Sequence, residues 1–135
     1  MKFLVDANVL SEVTRPNPSA NVLEWLRANA AEIAVDPVIL GELRYGILLL
    51  PKGRKRTELD GWFAGGVETL HCLPWDRAVG LRWAELLAFL KKRGTPIPVK
   101  DSMIAATALT HGLIVVTRNT MDFEKAKIPT FDPFK

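Results

Sequence analysis

Several acidic and amide side chains of this sequence lie where a buried strand ends or where a helix begins. Asp6 directly follows the apolar run "FLV", and Asp101 opens a helix that precedes the apolar strand "LIVVT". Asn119 and Asp122 come just after that strand. In open parallel α/β sheets, ligands bind beyond the carboxyl ends of the strands. These side chains are therefore expected together at one edge of one sheet.

Glu42 is a different kind of acid, because it falls inside a predicted helix, "PVILGELRYGI". Its neighbours along the chain are mostly large and apolar: Leu40, Leu43, Ile47 and Leu48. Glutamate is seldom placed among such residues unless it is paired. Glu42 is therefore a further candidate for the site that the strand-end acids are expected to form.

Each acid also has an ordinary structural explanation. Asp6 can cap the helix that begins after it, and Asp101 can be a favourable negative charge at a helix N-terminus. Glu42 can pair with Arg44 or with Lys100. These explanations weaken when they are taken together, because several separate acids would then meet at one end of a sheet by coincidence.

Clustered carboxylates repel one another unless a positive charge lies among them. The chemical partner that such a cluster implies is a hard divalent cation, Mg²⁺ or Mn²⁺, because both prefer oxygen ligands. A bound cation of this kind lowers the pKa of water and stabilises the charge that develops on a phosphodiester. The predicted chemistry is hydrolysis of a nucleic-acid backbone.

The elements that must position these acids alternate between strand and helix. Strands are predicted at 2–5, 32–36, 69–73, 113–117 and near 130–134. Helices are predicted from 8 to the Pro16 region, then at 20–30, 37–50, 52–68, 76–93 and 99–111, with a helical turn at 120–126. Alternation of this kind predicts an α/β sandwich with a mainly parallel central sheet.

Composition limits the remaining possibilities. The 135 residues are 48% hydrophobic and 24% charged, which indicates one globular domain over 1–135. No apolar stretch approaches the roughly 18 residues of a membrane span, and Asp6 and Asn8 interrupt any signal-peptide core, so a cytoplasmic protein is expected. The single cysteine, Cys72, excludes an intramolecular disulfide.

The formal net charge of +3 is unevenly distributed along the chain. Between Glu42 and Glu58 there is no acid, and five bases fall in that stretch: Arg44, Lys52, Arg54, Lys55 and Arg56. Clustered bases attract phosphate backbones or acidic partner segments.

The sequence closely resembles the PIN-domain family of metal-dependent ribonucleases, and within it the VapC-type toxins of toxin–antitoxin pairs. The motifs that carry the resemblance are "FLVDANVLSEV", "VILGELRYGI", "VKDSMIAATALTHGLIVVTRNTMDF" and "PTFDPF". They match in order and spacing over nearly the whole chain. "GELRYGI" followed by "LPKGRKRTELDGWF" looks most like the FitB-like branch.

The resemblance implies a PIN-like three-layer α/β/α sandwich whose acidic pocket binds Mg²⁺ or Mn²⁺. The family's metal-binding acids fall on Asp6, Glu42 and Asp101. Many members read Thr-x-Asp after the fourth strand, and the matching position here is Asn119. Asp122 can take that fourth role instead, and the two alternatives stay open.

These assignments imply a division of roles within the pocket. Asp6 and Asp101 would hold the metal, and Glu42 would position or deprotonate the attacking water. Asp122, helped by Asn119, would complete the site. Two further residues, Thr117 and Ser102, are either hydrogen-bonding neighbours of the acids or ordinary caps.

The family resemblance also implies partners: single-stranded or loop RNA as substrate, a cognate VapB-type antitoxin, and a second copy of the chain in a homodimer. Two other functions are weighed against it. Phosphohydrolases with an aspartyl nucleophile resemble Asp-x-Asp, and here Asn8 replaces the second acid. A PIN-like module that only binds RNA or a partner predicts loss of the inner acids, yet Asp6, Glu42 and Asp101 are all present.

Overall fold

The computed structural model describes residues 1–135. The strands are β1 Phe3–Val5, β2 Ile33–Val35, β3 His71–Cys72, β4 Ile114–Val116 and β5 Thr130–Phe131. The α-helices are α1 Ala7–Leu10, α2 Ala20–Ala28, α3 Pro37–Leu48, α4 Arg54–Gly65, α5 Arg77–Arg93, α6 Val99–His111 and α7 Thr120–Lys125. Short 3₁₀ turns cover Ser11–Thr14, Ala30–Glu32 and Val67–Thr69.

The strands form one five-stranded sheet in the order β3-β2-β1-β4-β5. Every pairing in it is parallel, which confirms the predicted mainly parallel sheet. The chain builds outward from β1 to β2 and β3, then returns to place β4 on the other side of β1. The crevice beyond β1 and β4 is thus the point where the strand order reverses, and ligands bind at such points in open α/β sheets.

The central strands are buried on both faces. All the residues of β1 and β2 are buried, and successive side chains of a strand point to opposite faces, so helices must cover both sides of the sheet. A core of 25 buried hydrophobic residues joins the strands to the helices. The predicted α/β sandwich is therefore confirmed.

The helix boundaries follow from local chemistry. Asp36 caps α3 by accepting a hydrogen bond from the backbone N–H of Ile39 at 2.9 Å, and Pro37 occupies the first turn. Gly94 and Gly112 end α5 and α6 in the left-handed conformation, with φ of 68° and 64°. Within these boundaries Asp101 falls in the first turn of α6 and Glu42 in the middle of α3.

The third strand is shorter than the sequence predicts. The sequence predicts a strand over 69–73, whereas only His71–Cys72 pairs with β2. The residues before it form the turn Val67–Thr69, and both strand residues are exposed at the edge of the sheet.

None of the helices combines the length and the apolar composition that a membrane-spanning segment requires.

Candidate active site

Asp6 lies at the carboxyl end of β1 and is only 5% exposed. Its Oδ1 accepts a hydrogen bond from the backbone N–H of Ala7 at 2.8 Å, so Asp6 caps α1 as its sequence position predicts. Its Oδ2 accepts a hydrogen bond from the hydroxyl of Thr117 at 2.8 Å. Because Thr117 directly follows β4, this bond crosses the crevice between the two central strands.

The hydroxyl of Thr117 is the centre of a small network. Besides donating to Asp6, it accepts the backbone N–H of Asn119 at 3.0 Å and the side-chain amide of Asn8 at 3.3 Å. The side-chain oxygen of Asn8, Oδ1, accepts a hydrogen bond from the backbone N–H of Arg118 at 3.1 Å. The loop after β4 is thereby fastened to the loop after β1, and Thr117 is the hydrogen-bonding neighbour that the sequence predicts.

Asp101 lies in the first turn of α6 and is 9% exposed. The side-chain amide of Asn119 lies 3.4 Å from its Oδ2 and donates to Oδ2 of Asp122 at 2.8 Å. Asn119 therefore bridges two carboxylates at the rim of the crevice. The structure brings both alternatives for the fourth position to the same place.

Glu42 points from α3 toward the N-terminus of α6. Its Oε2 pairs with the amine of Lys100 at 2.9 Å, while Arg44 pairs with Asp60 at 2.6 Å. Of the two partners considered from the sequence, the observed one is Lys100. The other oxygen, Oε1, is buried and has no hydrogen-bond partner.

Asp6, Glu42, Asp101 and Asp122 form an acidic cluster, in which negative charge is unfavourably concentrated. Burial raises the pKa of Asp6, with a further contribution from Glu42, and the hydrogen bond from Thr117 opposes the rise. Burial raises the pKa of Asp101 to about 7, and Asp6, Asp122 and Glu42 add to the effect. The acids thus act on one another electrostatically, and a cation among them would relieve the repulsion.

The donor set suits a hard divalent cation, because every available ligand is an oxygen and one of them, Oε1 of Glu42, is buried without a partner. No three acidic, histidine or cysteine side chains are placed to hold one ion together. Mg²⁺ commonly takes only one or two protein carboxylates and keeps several waters. The oxygen donors of Asp6, Asp101 and Glu42 therefore suit such a metal, which would take one or two of them as direct ligands and complete its coordination with water.

Of the two roles that the sequence leaves open for Ser102, the structure favours the local one at the start of α6. Its hydroxyl is fully buried, donates to the carbonyl of Val99 and accepts the indole N–H of Trp83 at 2.9 Å. The next position along an α-helix is rotated by about 100°, so Ser102 faces α5 while Asp101 faces the crevice. Ser102 fastens the start of α6 to α5 and makes no hydrogen bond to the acids.

Asp36 is a second acid at a strand end, and no sequence pattern assigns it to the site. It follows β2 as Asp6 follows β1, and its Oδ2 accepts a hydrogen bond from Thr107 at 2.7 Å. Both side chains are fully buried, so Asp36 supports the helix that carries Glu42 without facing the crevice. The sequence signal for it, an acid before Pro37 at a strand end, is the common signature of a helix cap.

A groove with a volume of about 340 Å³ runs beside Glu42. Residues of α1, α3 and α4 line it, among them Asn8, Leu43, Ile47 and Trp62. The lining of the groove is mainly apolar, and Glu42 is the one acid in it.

Residues 3–129 match the family model described as PIN domain. The chain is 34% identical over 137 residues to the VapC ribonuclease Y4jK of Sinorhizobium fredii. It is 35% identical over 136 residues to the toxin FitB of Neisseria gonorrhoeae. In both comparisons 98% of each chain is covered.

Among solved structures, the chain resembles FitAB bound to the IR36 DNA fragment. The TM-score is 0.92 and the identity 32%, over 98% of this chain and 96% of the other. A further toxin–antitoxin structure, DNA-bound VapBC from Salmonella typhimurium, has a TM-score of 0.83 and 27% identity over 98% of each chain. The chain therefore belongs to the PIN-domain family, in its VapC group of ribonuclease toxins from toxin–antitoxin modules.

Proposed function

We propose that this chain is a Mg²⁺- or Mn²⁺-dependent endoribonuclease that hydrolyses RNA phosphodiesters in the crevice beyond β1 and β4. The observation that carries the proposal is the meeting of Asp6, Glu42 and Asp101, which come from a strand end and two different helices. A metal-binding role accounts for this costly gathering of acids, two of which, Asp6 and Asp101, are buried. The names of the relatives as ribonucleases favour RNA over other phosphodiesters.

The proposed mechanism divides the work among these side chains. Asp6 and Asp101, with Glu42, would hold the metal, which supplies an acidified water and charge stabilisation at the phosphodiester when bound. Glu42 would also position the attacking water or accept its proton, through whichever carboxylate oxygen the metal leaves free. Thr117 keeps the Asp6 carboxylate oriented, because its hydroxyl is aimed at Oδ2.

The fourth position is shared in this proposal. Asp122 contributes negative charge at the rim, and Asn119 orients both Asp122 and Asp101 through its side-chain amide. Asp122 is therefore the acid of the pair, and Asn119 is its positioning residue.

The phosphohydrolase alternative has less support. That chemistry needs a proton donor two residues after the strand-end Asp, and Asn8 cannot donate a proton as an acid. Its side-chain amide is also engaged with Asp6 and Thr117. A binding module without catalysis would leave the buried acids without a purpose.

We infer that the partner of this chain is a VapB-type antitoxin. The matching solved structures are toxin–antitoxin complexes, and the groove beside Glu42 offers both apolar walls and access to that carboxylate. We also propose that residues 1–135 act as one PIN domain, as a homodimer, in the cytoplasm where RNA is available.

The test is cleavage of a 5′-labelled single-stranded RNA by purified protein with Mg²⁺, Mn²⁺ or EDTA. Internal fragments that require a metal are expected, and Asp6→Asn and Asp101→Asn should each lower the rate by about 100-fold or more. Asp76→Asn is the matched control, because Asp76 caps α5 outside the cluster. Full activity in both site variants, each folded by circular dichroism, would overturn the assignment.

A further inference from the structure

Lys100 occupies an unusual position beside the acidic cluster. It lies in the first turn of α6, next to Asp101, and its amine is 2.9 Å from Oε2 of Glu42 on α3. A lysine in the first turn is opposed by the helix dipole, so the location is electrostatically disfavoured by its own helix. The attraction of the acids offsets this cost.

Carboxylates lie close to the amine of Lys100. Glu42 accepts its hydrogen bond at 2.9 Å, and Asp101 is the next residue along α6. Arg44, the other base near Glu42 in sequence, is paired with Asp60 and is not available to the cluster. Lys100 is thus the cation that serves Glu42 in this structure.

We propose that Lys100 is a built-in counter-ion of the acidic cluster, which neutralises Glu42 when no metal is bound and competes with the metal for that carboxylate. The inference deepens the proposed function, because it rests on Glu42 being a metal ligand. It adds a positioning residue that controls how tightly the metal is held.

The exposure of the two side chains allows this exchange. The Glu42 side chain is 20% exposed, whereas that of Lys100 is 55% exposed, so the amine can swing into solvent while the carboxylate stays in place. A metal ion held by Glu42 would repel the ammonium group and displace it into solvent. On the departure of the metal Lys100 would return, and Glu42 would not be left without a positive partner.

The test measures Mn²⁺ binding to the purified full chain without RNA, by calorimetry and by the electron paramagnetic resonance signal of free Mn²⁺. Lys100→Met should bind Mn²⁺ about fivefold more tightly, since a part-exposed ion pair opposes binding only modestly. Lys100→Arg keeps the charge and should bind close to the wild-type level.

A control separates competition at Glu42 from a general loss of positive charge. Lys125→Met removes the same charge beside the cluster, but its amine lies 3.9 Å from Asp122 and is paired with that residue rather than with Glu42. It should change Mn²⁺ affinity by less than twofold. In a Glu42→Gln background, Lys100→Met should no longer tighten binding.

Four results would overturn the proposal. They are unchanged or weaker Mn²⁺ binding by Lys100→Met, an equal gain in Lys125→Met, a full gain that persists in the Glu42→Gln background, and absence of Mn²⁺ binding in every variant. The proposed nuclease function is judged separately, by metal-dependent RNA cleavage in the wild-type protein, so the two failures are distinguishable.

Discussion

Replacement of Thr117 by valine tests whether the crevice network serves catalysis as well as stability. Threonine and valine side chains have nearly the same shape, so Thr117→Val replaces the hydroxyl with a methyl group and changes little else. In the folded protein that hydroxyl donates to Asp6 at 2.8 Å and accepts the backbone N–H of Asn119 at 3.0 Å. Thr117 is fully buried, and water cannot replace these bonds.

The size of the effect follows from these contacts. A buried hydrogen bond to a carboxylate contributes about 1.5–3 kcal/mol, and the Asn119 N–H would lose its partner as well. We expect the free energy of unfolding to fall by about 2–3 kcal/mol, which corresponds to a drop in melting temperature of roughly 6–10 °C. Because the Asp6 carboxylate also loses its orienting donor, RNA cleavage should fall by about 10–100-fold.

Thr107→Val is the matched control for this experiment. Thr107 is also fully buried, and its hydroxyl donates to Asp36 at 2.7 Å, so the same chemical group is lost next to another helix-capping carboxylate. We expect a similar loss of stability and a cleavage rate within about twofold of wild type at a temperature where both variants are folded.

The assays are urea unfolding followed by circular dichroism and cleavage of a 5′-labelled RNA with Mn²⁺. Equal losses of activity in Thr117→Val and Thr107→Val would refute the reasoning, because activity would then follow stability alone. Full activity in a destabilised Thr117→Val would also refute it, since the Asp6 carboxylate would not need the hydroxyl.

Three further predictions concern other parts of the molecule. Burial raises the pKa of Asp36, so ionisation disfavours the fold, and the melting-temperature advantage of Asp36→Asn should be larger at about pH 7.5 than at about pH 4.5. Equal differences at both pH values would contradict this. Gly112→Ala should lower the free energy of unfolding by about 1 kcal/mol in urea titrations without slowing RNA cleavage, because φ of 64° at Gly112 is strained for alanine. Asp122→Asn should slow cleavage by about 10–100-fold and Asn119→Ala by less, as measured with labelled RNA; the reverse order would make Asn119 the more important residue.

Much of the fold could be predicted because the signals are local. The apolar runs of β1, β2 and β4 are continuous since both faces of each strand are covered, and this pattern is visible in the residues themselves. Helix ends at Gly94 and Gly112 were also predictable, because glycine tolerates the left-handed conformation that ends a helix. The weakest predictions were the two edge strands, β3 and β5, each of which is shorter than predicted, since edge pairing depends on how the preceding turn approaches the sheet.

The candidate site was predictable to a lesser degree. The acids themselves could be selected, because a carboxylate at a strand end or in an apolar helix is chemically conspicuous. The hydrogen-bond and ion-pair partners of these acids could not be predicted from the sequence. Glu42 had two bases within reach by sequence, and only the packing of α3 against the start of α6 makes Lys100 its partner. The sequence left two roles open for Ser102, and only its rotation about the helix axis, which turns it toward Trp83, decides between them.

The residues alone therefore determine which elements form and which side chains have metal-binding chemistry, because caps, turns and apolar runs act over a few neighbouring positions. The bond between Asp6 and Thr117 spans 111 positions and exists because β4 returns to pair with β1. Strand order and helix packing set distances to within an ångström, and hydrogen bonds and ion pairs depend on distances of that size. For this reason the partners within the crevice, including Lys100, are properties of the folded chain.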